Sequence, residues 1–170
     1  MKTSVGLVVL VDVPSMGGRV AVLQVRGRFN HEKMGPESYP GCCQVTVHGK
    51  CEDEEGIMGA LFREIEEELG EKTALILQNK YLKNEFVGLC LKEKEGVINY
   101  GVIFSSDSSV YFLNSIRLNA STGGLRFIRQ VDIDDIIDIR LFDKTIGVKD
   151  LATAMFLDEK EALKLAFEKL

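Results

Sequence analysis

Gly49-Lys-Cys-Glu-Asp-Glu-Glu55-Gly-Ile-Met-Gly-Ala-Leu-Phe-Arg63-Glu64-Ile-Glu-Glu67-Glu68-Leu-Gly70-Glu71 is the stretch that decides the fold of this sequence. Within it, Glu64, Glu67 and Glu68 stand at positions i, i+3 and i+4. Because an α-helix turns about 100° per residue, these carboxylates fall within an arc of roughly 100°. The stretch therefore predicts a helix with one anionic face.

An apolar stripe runs along the same predicted helix. Its members recur at helical spacing and are Met58, Leu61, Phe62, Ile65 and Leu69. This pattern is typical of a helix that buries one side against a core. The acidic residues 53–55 are expected in the first turn, where the helix dipole favours negative charge, and Gly70 is expected as a left-handed C-cap.

The glutamates are poorly placed for the stability of a helix. Anions in the last turns oppose the helix dipole at roughly 0.3–1 kcal/mol each, and like charges at i, i+4 add to this cost. The ordinary interpretation of an acidic run is a solvated face. A bound hard cation with oxygen ligands would remove both penalties, and Mg²⁺ fits this description. The pattern therefore favours a divalent-cation site.

The stretch resembles the Nudix box, G-x5-E-x7-R-E-U-x-E-E-x-G-U, in which U is an aliphatic residue. Eight of the nine defined positions agree. Glu71 stands where the family usually has an aliphatic residue, and Val47-His48 precede Gly49 where the family often has paired glycines. These departures concern the end of the helix and the backbone near the predicted metal, and they leave the carboxylates unchanged.

The resemblance implies a role for each matching residue. The implied ligands of Mg²⁺ or Mn²⁺ are Glu64, Glu67, Glu68 and the Gly49 carbonyl. Arg63 and Glu55 are implied to form an ion pair that braces the loop against the helix. Enzymes of this family hydrolyse a nucleoside diphosphate linked to another moiety. A metal cluster suits that reaction, because it neutralises pyrophosphate oxygens and lowers the pKa of a bound water.

The general base stays open at this stage. Glu67 or Glu68 could serve, and family members also recruit a glutamate from a distant loop. Glu95, in the charged turn at residues 92–96, is the candidate of that kind, although an exposed charge at a hairpin tip is an equally good interpretation.

Basic and aromatic residues near the box are candidates for substrate binding. Arg26, Arg28, Lys33 and Lys50 flank the site in sequence and could contact phosphates, although surface cations need no such role. Candidates for stacking on a base are Phe29, Tyr39, Phe86 and Tyr100. Aromatic residues at strand positions more often belong to the core.

The whole chain is consistent with one domain over residues 1–170, since it is long enough to bury a core and no linker or repeat divides it. Strands are predicted over 5–11, 19–26, 42–47, 73–77, 86–91, 97–104 and 125–130. A short helix is predicted over 132–136, and a final helix begins with a capping box formed by Asp158 and Glu161. No assignment is made for 111–121. We expect an α/β fold, a mixed sheet with helices on both faces, which is also the α/β/α sandwich that the resemblance implies.

Composition limits the partners. A net charge of −5 argues against binding to long nucleic acids. The apolar run 5–11 is interrupted by Asp12, so we expect neither a signal peptide nor a membrane span. Four cysteines without secretory features indicate a cytoplasmic location. Zinc is disfavoured, because adjacent Cys42 and Cys43 on a strand point to opposite faces and Cys51 completes no C-x-x-C pair.

The preferred hypothesis is a metal-dependent hydrolase of a nucleoside diphosphate derivative. The alternative is a Nudix-fold module that binds a nucleotide or a protein without turnover, and the nearly complete box weighs against it. Isomerase chemistry on an isoprenoid diphosphate is weaker, since such members resemble the family with a degraded box. The sequence leaves the particular substrate open, and also whether two copies form a homodimer.

Overall fold

A seven-stranded mixed sheet lies at the centre of the computed structural model, which describes residues 3–89, 96–141 and 153–170. The strands of the described residues are β1 Ser4–Val13, β2 Gly18–Arg26, β3 Phe29–Asn30, β4 Gly35–Pro36, β5 Cys43–Gln44, β6 Val47–Lys50, β7 Val87–Gly88, β8 Val97–Phe104, β9 Thr122–Arg129, β10 Ile137–Asp138 and β11 Ala154–Met155. β3 with β4 and β10 with β11 form two separate two-stranded sheets, and the other seven strands form the central sheet. The α-helices are α1 Ile57–Leu69, α2 Glu71–Leu82, α3 Ser106–Ser115 and α4 Leu157–Lys169. Short 3-10 helices span Pro14–Met16, Gln130–Asp135 and Ile139–Leu141. None of the helices in these described ranges combines the length and apolar composition needed to cross a membrane.

β1 is the central strand and is apolar on both faces. It pairs parallel with β8 on one side and antiparallel with β2 and β6 on the other. Val5, Leu7 and Val9 pack in the cluster that includes α1, α2 and α3, whereas Val8 and Leu10 pack in the cluster that includes α4. Successive strand residues point to opposite faces, so helices cover both sides. The predicted α/β/α sandwich with a mixed sheet is confirmed.

β1 and β2 form a fork in the sheet. They pair between residues 9–13 and 18–22 and then diverge, and the following segment fills the gap, with β5 pairing β2 and β6 pairing β1. Thr46 lies fully buried in this fork. Its hydroxyl accepts a hydrogen bond from the Val9 N–H at 2.8 Å and donates one to the Val22 carbonyl. These backbone groups would otherwise be buried without partners, at a cost of about 1–3 kcal/mol each.

α1 begins later than predicted. Its first residue is Ile57, so residues 53–55 lie before the helix and not in its first turn. Glu54 has φ 67°, a left-handed conformation that is incompatible with an α-helix. Gly70 also departs from the predicted left-handed cap, because its φ of 96° is combined with ψ 163°. Its N–H still donates to the Glu66 carbonyl, and α2 begins at the next residue.

The strand predicted over 73–77 is wrong, because these residues lie in α2. Thr73 and Leu77 are buried four residues apart, which is the spacing of a helix that packs on one side. A short apolar run does not distinguish the two types of element by itself. The strand predicted over 86–91 is reduced to Val87–Gly88, and its last two residues lie outside the described ranges.

The predictions for the other elements agree with the structure to different degrees. The strands over 5–11, 19–26, 97–104 and 125–130 are confirmed, with small shifts at their ends. The strand over 42–47 is replaced by the two short strands β5 and β6, which pair with different neighbours at the fork. α3 begins before the unassigned region and ends within it, and the short helix near 132 is a 3-10 helix.

The N-terminus of α4 also differs from its prediction. The helix begins after Phe156 without a side-chain cap, so Asp158 and Glu161 do not form a capping box. Instead, Glu159 turns inward, is 4% exposed and accepts a hydrogen bond from the Val45 N–H at 3.0 Å. Burial raises the pKa of Glu159 to about 7, the Val45 N–H and the charge of Arg26 oppose this rise, and the charge of Asp158 adds to it.

Glu159→Gln should stabilise the protein more at pH 8 than at pH 5. The pKa of Glu159 is higher in the folded state than in the unfolded state, so its contribution to stability is lost as the pH rises from about 4.5 to about 7. The loss is on the order of 3 kcal/mol at most, whereas glutamine keeps the acceptor for Val45 and does not ionise. Urea unfolding of both proteins at the two pH values checks this. An equal difference at pH 5 and pH 8 would contradict it.

Candidate active site

α1 presents its acidic face to the segment that leaves the fork. The same helix buries Ala60, Leu61, Ile65 and Leu69 in the core. The acidic face is formed by Glu64, Glu67 and Glu68, and the chain that runs past it includes Gln44, His48 and Gly49. The fork and the apolar stripe together therefore bring the helix and this segment into contact.

Arg63 is the centre of an ion-pair network on this face. Its Nε and Nη2 donate to the two carboxylate oxygens of Glu55 at 2.8 and 3.1 Å. Nη1 donates to Glu64 Oε1 at 2.8 Å and lies 3.5 Å from both oxygens of Glu67. Nη2 also donates to the Lys50 carbonyl at 2.9 Å. The structure thus contains the Arg63–Glu55 ion pair that the box implied, and this pair ties the loop before α1 to the helix.

Gly49 and Glu64 are in close contact. A Cβ added to Gly49 would overlap the Glu64 carboxyl group, so no other residue fits without displacing that side chain. Gly49 itself is fixed by pairing with Val5 in the sheet. Glu64 is 7% exposed, and its carboxylate is therefore confined between Gly49 and Arg63.

Glu68 is held on the other side of the same face. Gln44 Nε2 donates to its Oε1 at 3.2 Å, and the His48 N–H donates to its Oε2 at 3.2 Å. Glu67, which lies between Glu64 and Glu68 in sequence, has a side chain that is 51% exposed. The Asn119 side-chain amide donates to the Glu67 carbonyl at 3.1 Å and so attaches the turn before β9 to α1.

The pKa values of the two enclosed carboxyls are raised. Burial raises the pKa of Glu68 to about 8, the charge of Glu64 adds to the rise, and hydrogen bonds from His48, Gln44 and Gln24 oppose it. Burial also raises the pKa of Glu64, although the hydrogen bond and charge of Arg63 lower it. In contrast, hydrogen bonding to Arg63 lowers the pKa of Glu55. The face therefore offers more carboxyl groups than Arg63 can pair.

The donor set suits a hard divalent cation, since three carboxylates and a backbone carbonyl offer only oxygen ligands. The crowding of Glu64 against Gly49 also places that backbone beside a carboxylate. In the arrangement described, Arg63 occupies one oxygen of Glu64. Within residues 3–89, 96–141 and 153–170, no group of three or more His, Cys, Asp or Glu side chains is close enough to hold a metal. The residues fit a hard divalent cation in type, and in this arrangement the carboxylates do not converge.

The predicted phosphate-binding residues differ in their exposure and contacts. Arg26 is 19% exposed and forms an ion pair with Glu37 at 3.5 Å. Arg28 and the Lys50 side chain are exposed, and Lys50 contacts the network through its carbonyl. Glu95 lies outside the described residues. The structure therefore brings together Glu55, Arg63, Gly49 and the three helix glutamates, and it does not bring Arg26 into direct contact with them.

The stacking candidates divide into two groups. Phe86 and Tyr100 belong to an aromatic cluster with Phe62 and Tyr81, whose neighbouring ring centroids are 5.6–6.4 Å apart. Such a cluster packs the helices against the sheet. In the second group, Tyr39 packs edge-on against Phe156, and the Arg26 guanidinium lies 5.6 Å from the Phe156 ring centre. Phe29 is exposed on β3.

Sequence reasoning missed the amide side chains at the site, Gln24, Gln44 and Asn119. For Gln24 a signal was present, because it interrupts the otherwise apolar run at 20–25 at a position that strand alternation would bury. A polar side chain at such a position requires a hydrogen-bond partner. The contacts of Gln44 and Asn119 depend on the fork and on the turn before β9, which no local pattern indicates.

Solved structures with similar folds are Nudix proteins. A MutT/nudix family protein from Enterococcus faecalis superposes with a TM-score of 0.56 at 12% identity, over 99% of this chain and 61% of that one. A mutT/nudix family protein from Listeria innocua gives 0.54 at 15% identity, over 98% and 90%. The NUDIX domain of Shewanella oneidensis NrtR, in complex with ADP ribose, gives 0.52 at 12% identity, over 98% and 86%. This chain therefore has a Nudix fold.

No protein-family model matches the sequence, and no curated protein matches it either. The chain spans 61% of the length of the Enterococcus protein. At identities of 12–15% the similarity establishes the fold alone, so the function has to be argued from the residues of the site.

Gly49→Ala should destabilise the protein by about 1–3 kcal/mol, because the new methyl group overlaps Glu64 in a packed site. Gly59→Ala is the matched control. A Cβ there comes no closer than 3.8 Å, to Glu55 Cγ, and alanine in a helix is favoured by about 1 kcal/mol over glycine. Urea unfolding should therefore give changes of opposite sign. Equal effects from the two substitutions would contradict the close contact.

Proposed function

We propose that this chain is a metal-dependent hydrolase that cleaves a pyrophosphate bond in a nucleoside diphosphate linked to another moiety. The observation that carries the proposal is the acidic face of α1 on a Nudix fold, with Gly49 against Glu64 and the Arg63–Glu55 ion pair beside them. The face has more carboxylates than cations, and two of these carboxylates have raised pKa values. A bound divalent ion would therefore stabilise this face.

In this proposal each residue has a separate task. The residues that would hold Mg²⁺ or Mn²⁺ are Glu64, Glu67, Glu68 and the Gly49 carbonyl. When bound, the cation would neutralise the pyrophosphate oxygens and activate the attacking water. Arg63 joins Glu55, Glu64 and the Lys50 carbonyl, so it keeps the loop before α1 at a fixed distance from the carboxylates.

Glu67 and Glu68 differ as candidates for the general base. Glu68 is hydrogen-bonded through both oxygens, which suits a ligand of fixed orientation. Glu67 is half exposed, and its contacts with Arg63 are long, at 3.5 Å. Glu67 is therefore the helix residue with the freedom to accept a proton from water. Glu95 stays a candidate that the described residues do not test.

The proposed substrate class is supported by a structural neighbour, the NrtR NUDIX domain, which was solved with ADP ribose. The exposed cations Arg28 and Lys50, with the partly exposed Arg26, are proposed to contact substrate phosphates. We further propose a cytoplasmic location and one domain over residues 1–170, with no role for long nucleic acids or membranes. A homodimer is compatible with this proposal and is not required by it.

A binding module without turnover is the second candidate function. The observation that favours it is the engagement of Glu64 by Arg63 at 2.8 Å, which leaves the three carboxylates unconverged. A domain of this kind would bind a nucleotide with its acidic face neutralised by Arg63 alone.

A hydrolysis panel separates the two candidates. Nucleotide sugars, oxidised nucleoside triphosphates and coenzyme derivatives are incubated with Mg²⁺ or Mn²⁺, and the nucleoside monophosphate formed is measured by anion-exchange chromatography. We expect turnover of at least one substrate and a loss of 10²-fold or more in Glu67→Gln and Glu68→Gln, since base and ligand are removed. Glu66→Gln, an exposed neighbour outside the acidic face, should retain activity. Tight nucleotide binding without turnover would favour the binding module.

Metal should also stabilise the folded protein. A cation that binds only the folded state raises the free energy of unfolding by about 2.7 kcal/mol at a concentration 100 times its Kd. We therefore expect millimolar Mg²⁺ or Mn²⁺ to raise the melting temperature by several degrees, and less in Glu68→Gln than in Glu66→Gln. Scanning calorimetry with chelator and with added metal measures this. A midpoint that does not change with metal would argue against the site.

A further inference from the structure

Two glutamine side chains meet at Glu68. Gln24 on β2 and Gln44 on β5 are direct partners in the antiparallel register, so their side chains lie side by side on one face of the sheet. Gln44 Nε2 donates to Glu68 Oε1 at 3.2 Å, and Gln24 lies close enough to lower the pKa of the Glu68 carboxyl. The fork of the sheet thus places two amides near one carboxylate of α1.

The orientation of the Gln24 amide is fixed by hydrogen bonds to two other residues. It is 3% exposed, its Nε2 donates to the Thr46 carbonyl at 2.8 Å, and its Oε1 accepts from the Thr122 hydroxyl at 3.0 Å. A flipped amide would face each of these partners with the wrong group. The second N–H of Gln24 is therefore the group available to Glu68.

The two oxygens of Glu68 have different donors. Oε1 accepts from Gln44, and Oε2 accepts from the His48 backbone N–H at 3.2 Å. Donors on both oxygens restrict the rotation of the carboxylate.

We propose that Gln44, held beside Gln24 in the sheet, is a positioning residue, which keeps the Glu68 carboxylate in the orientation that a divalent cation requires. This inference rests on the proposed function, because it assigns Glu68 as a ligand. Removal of a side chain that orients a metal ligand typically lowers metal affinity by 10- to 100-fold.

Gln44→Met is the decisive variant. Gln44 is half-buried on a two-residue strand, whereas Gln24 also joins Thr46 and Thr122 in the core, so its loss would disturb the fold. Methionine keeps the length of the side chain and removes the donor. Mn²⁺ affinity, measured by the EPR signal of free Mn²⁺, should fall about tenfold. Gln130→Met, at an exposed glutamine remote from Glu68 in sequence, should bind Mn²⁺ like the wild type.

A second measurement needs no metal. Deuterium exchange of the His48 amide, followed by NMR in chelator, should be at least several-fold faster in Gln44→Met, because a less restrained Glu68 protects this N–H less. The melting temperature in chelator shows whether the variant is folded. Wild-type affinity for Mn²⁺ in a folded Gln44→Met protein would overturn the positioning role. Absence of Mn²⁺ binding by the wild type would instead overturn the proposed function, and the assignment of Glu68 with it.

Discussion

The hydroxyl of Thr46 makes the arrangement of the site possible. By bonding to Val9 on β1 and Val22 on β2, it satisfies the backbone groups that are exposed where the two strands part. Only with these groups paired can the chain pass through the fork in a buried position. That passage determines which residues face α1: Gln44 lies before Thr46, and His48 and Gly49 lie after it. The geometry around the glutamates therefore starts in the sheet and not in the helix.

On the helix side, one cation lies among several carboxylates. Arg63 joins Glu55, Glu64 and the Lys50 carbonyl, and it reaches Glu67 only at 3.5 Å. Glu68 is outside this network and depends on neutral donors. A buried carboxylate without a cation is held by hydrogen bonds or by protonation. The site thus has carboxylates neutralised by charge and one held by dipoles, and a bound divalent ion would take over both roles.

The sequence allowed the acidic face and the central strands to be predicted, because both follow from a fixed period. The i, i+3, i+4 spacing of the glutamates needs only helical geometry, and apolar strands such as β1 need only continuity. The start of α1 was not predictable in this way, since the left-handed Glu54 looks like an ordinary acidic residue of a first turn. Glu159 and Gln44 were missed for a different reason, because their partners are 114 and 24 residues distant and arise only after the layers have packed.

Several contacts of the site pair a side chain with a backbone group. Arg63 donates to the Lys50 carbonyl, Asn119 to the Glu67 carbonyl, and Glu68 accepts from the His48 N–H. In each case one side chain is required, while its partner group is present whatever residue occupies the position. The sequence must therefore specify only a few side chains and one glycine, and the fold supplies the other half of each contact. The Gln44–Glu68 contact differs, because it requires two particular side chains, as do the contacts of Arg63 with Glu55 and Glu64.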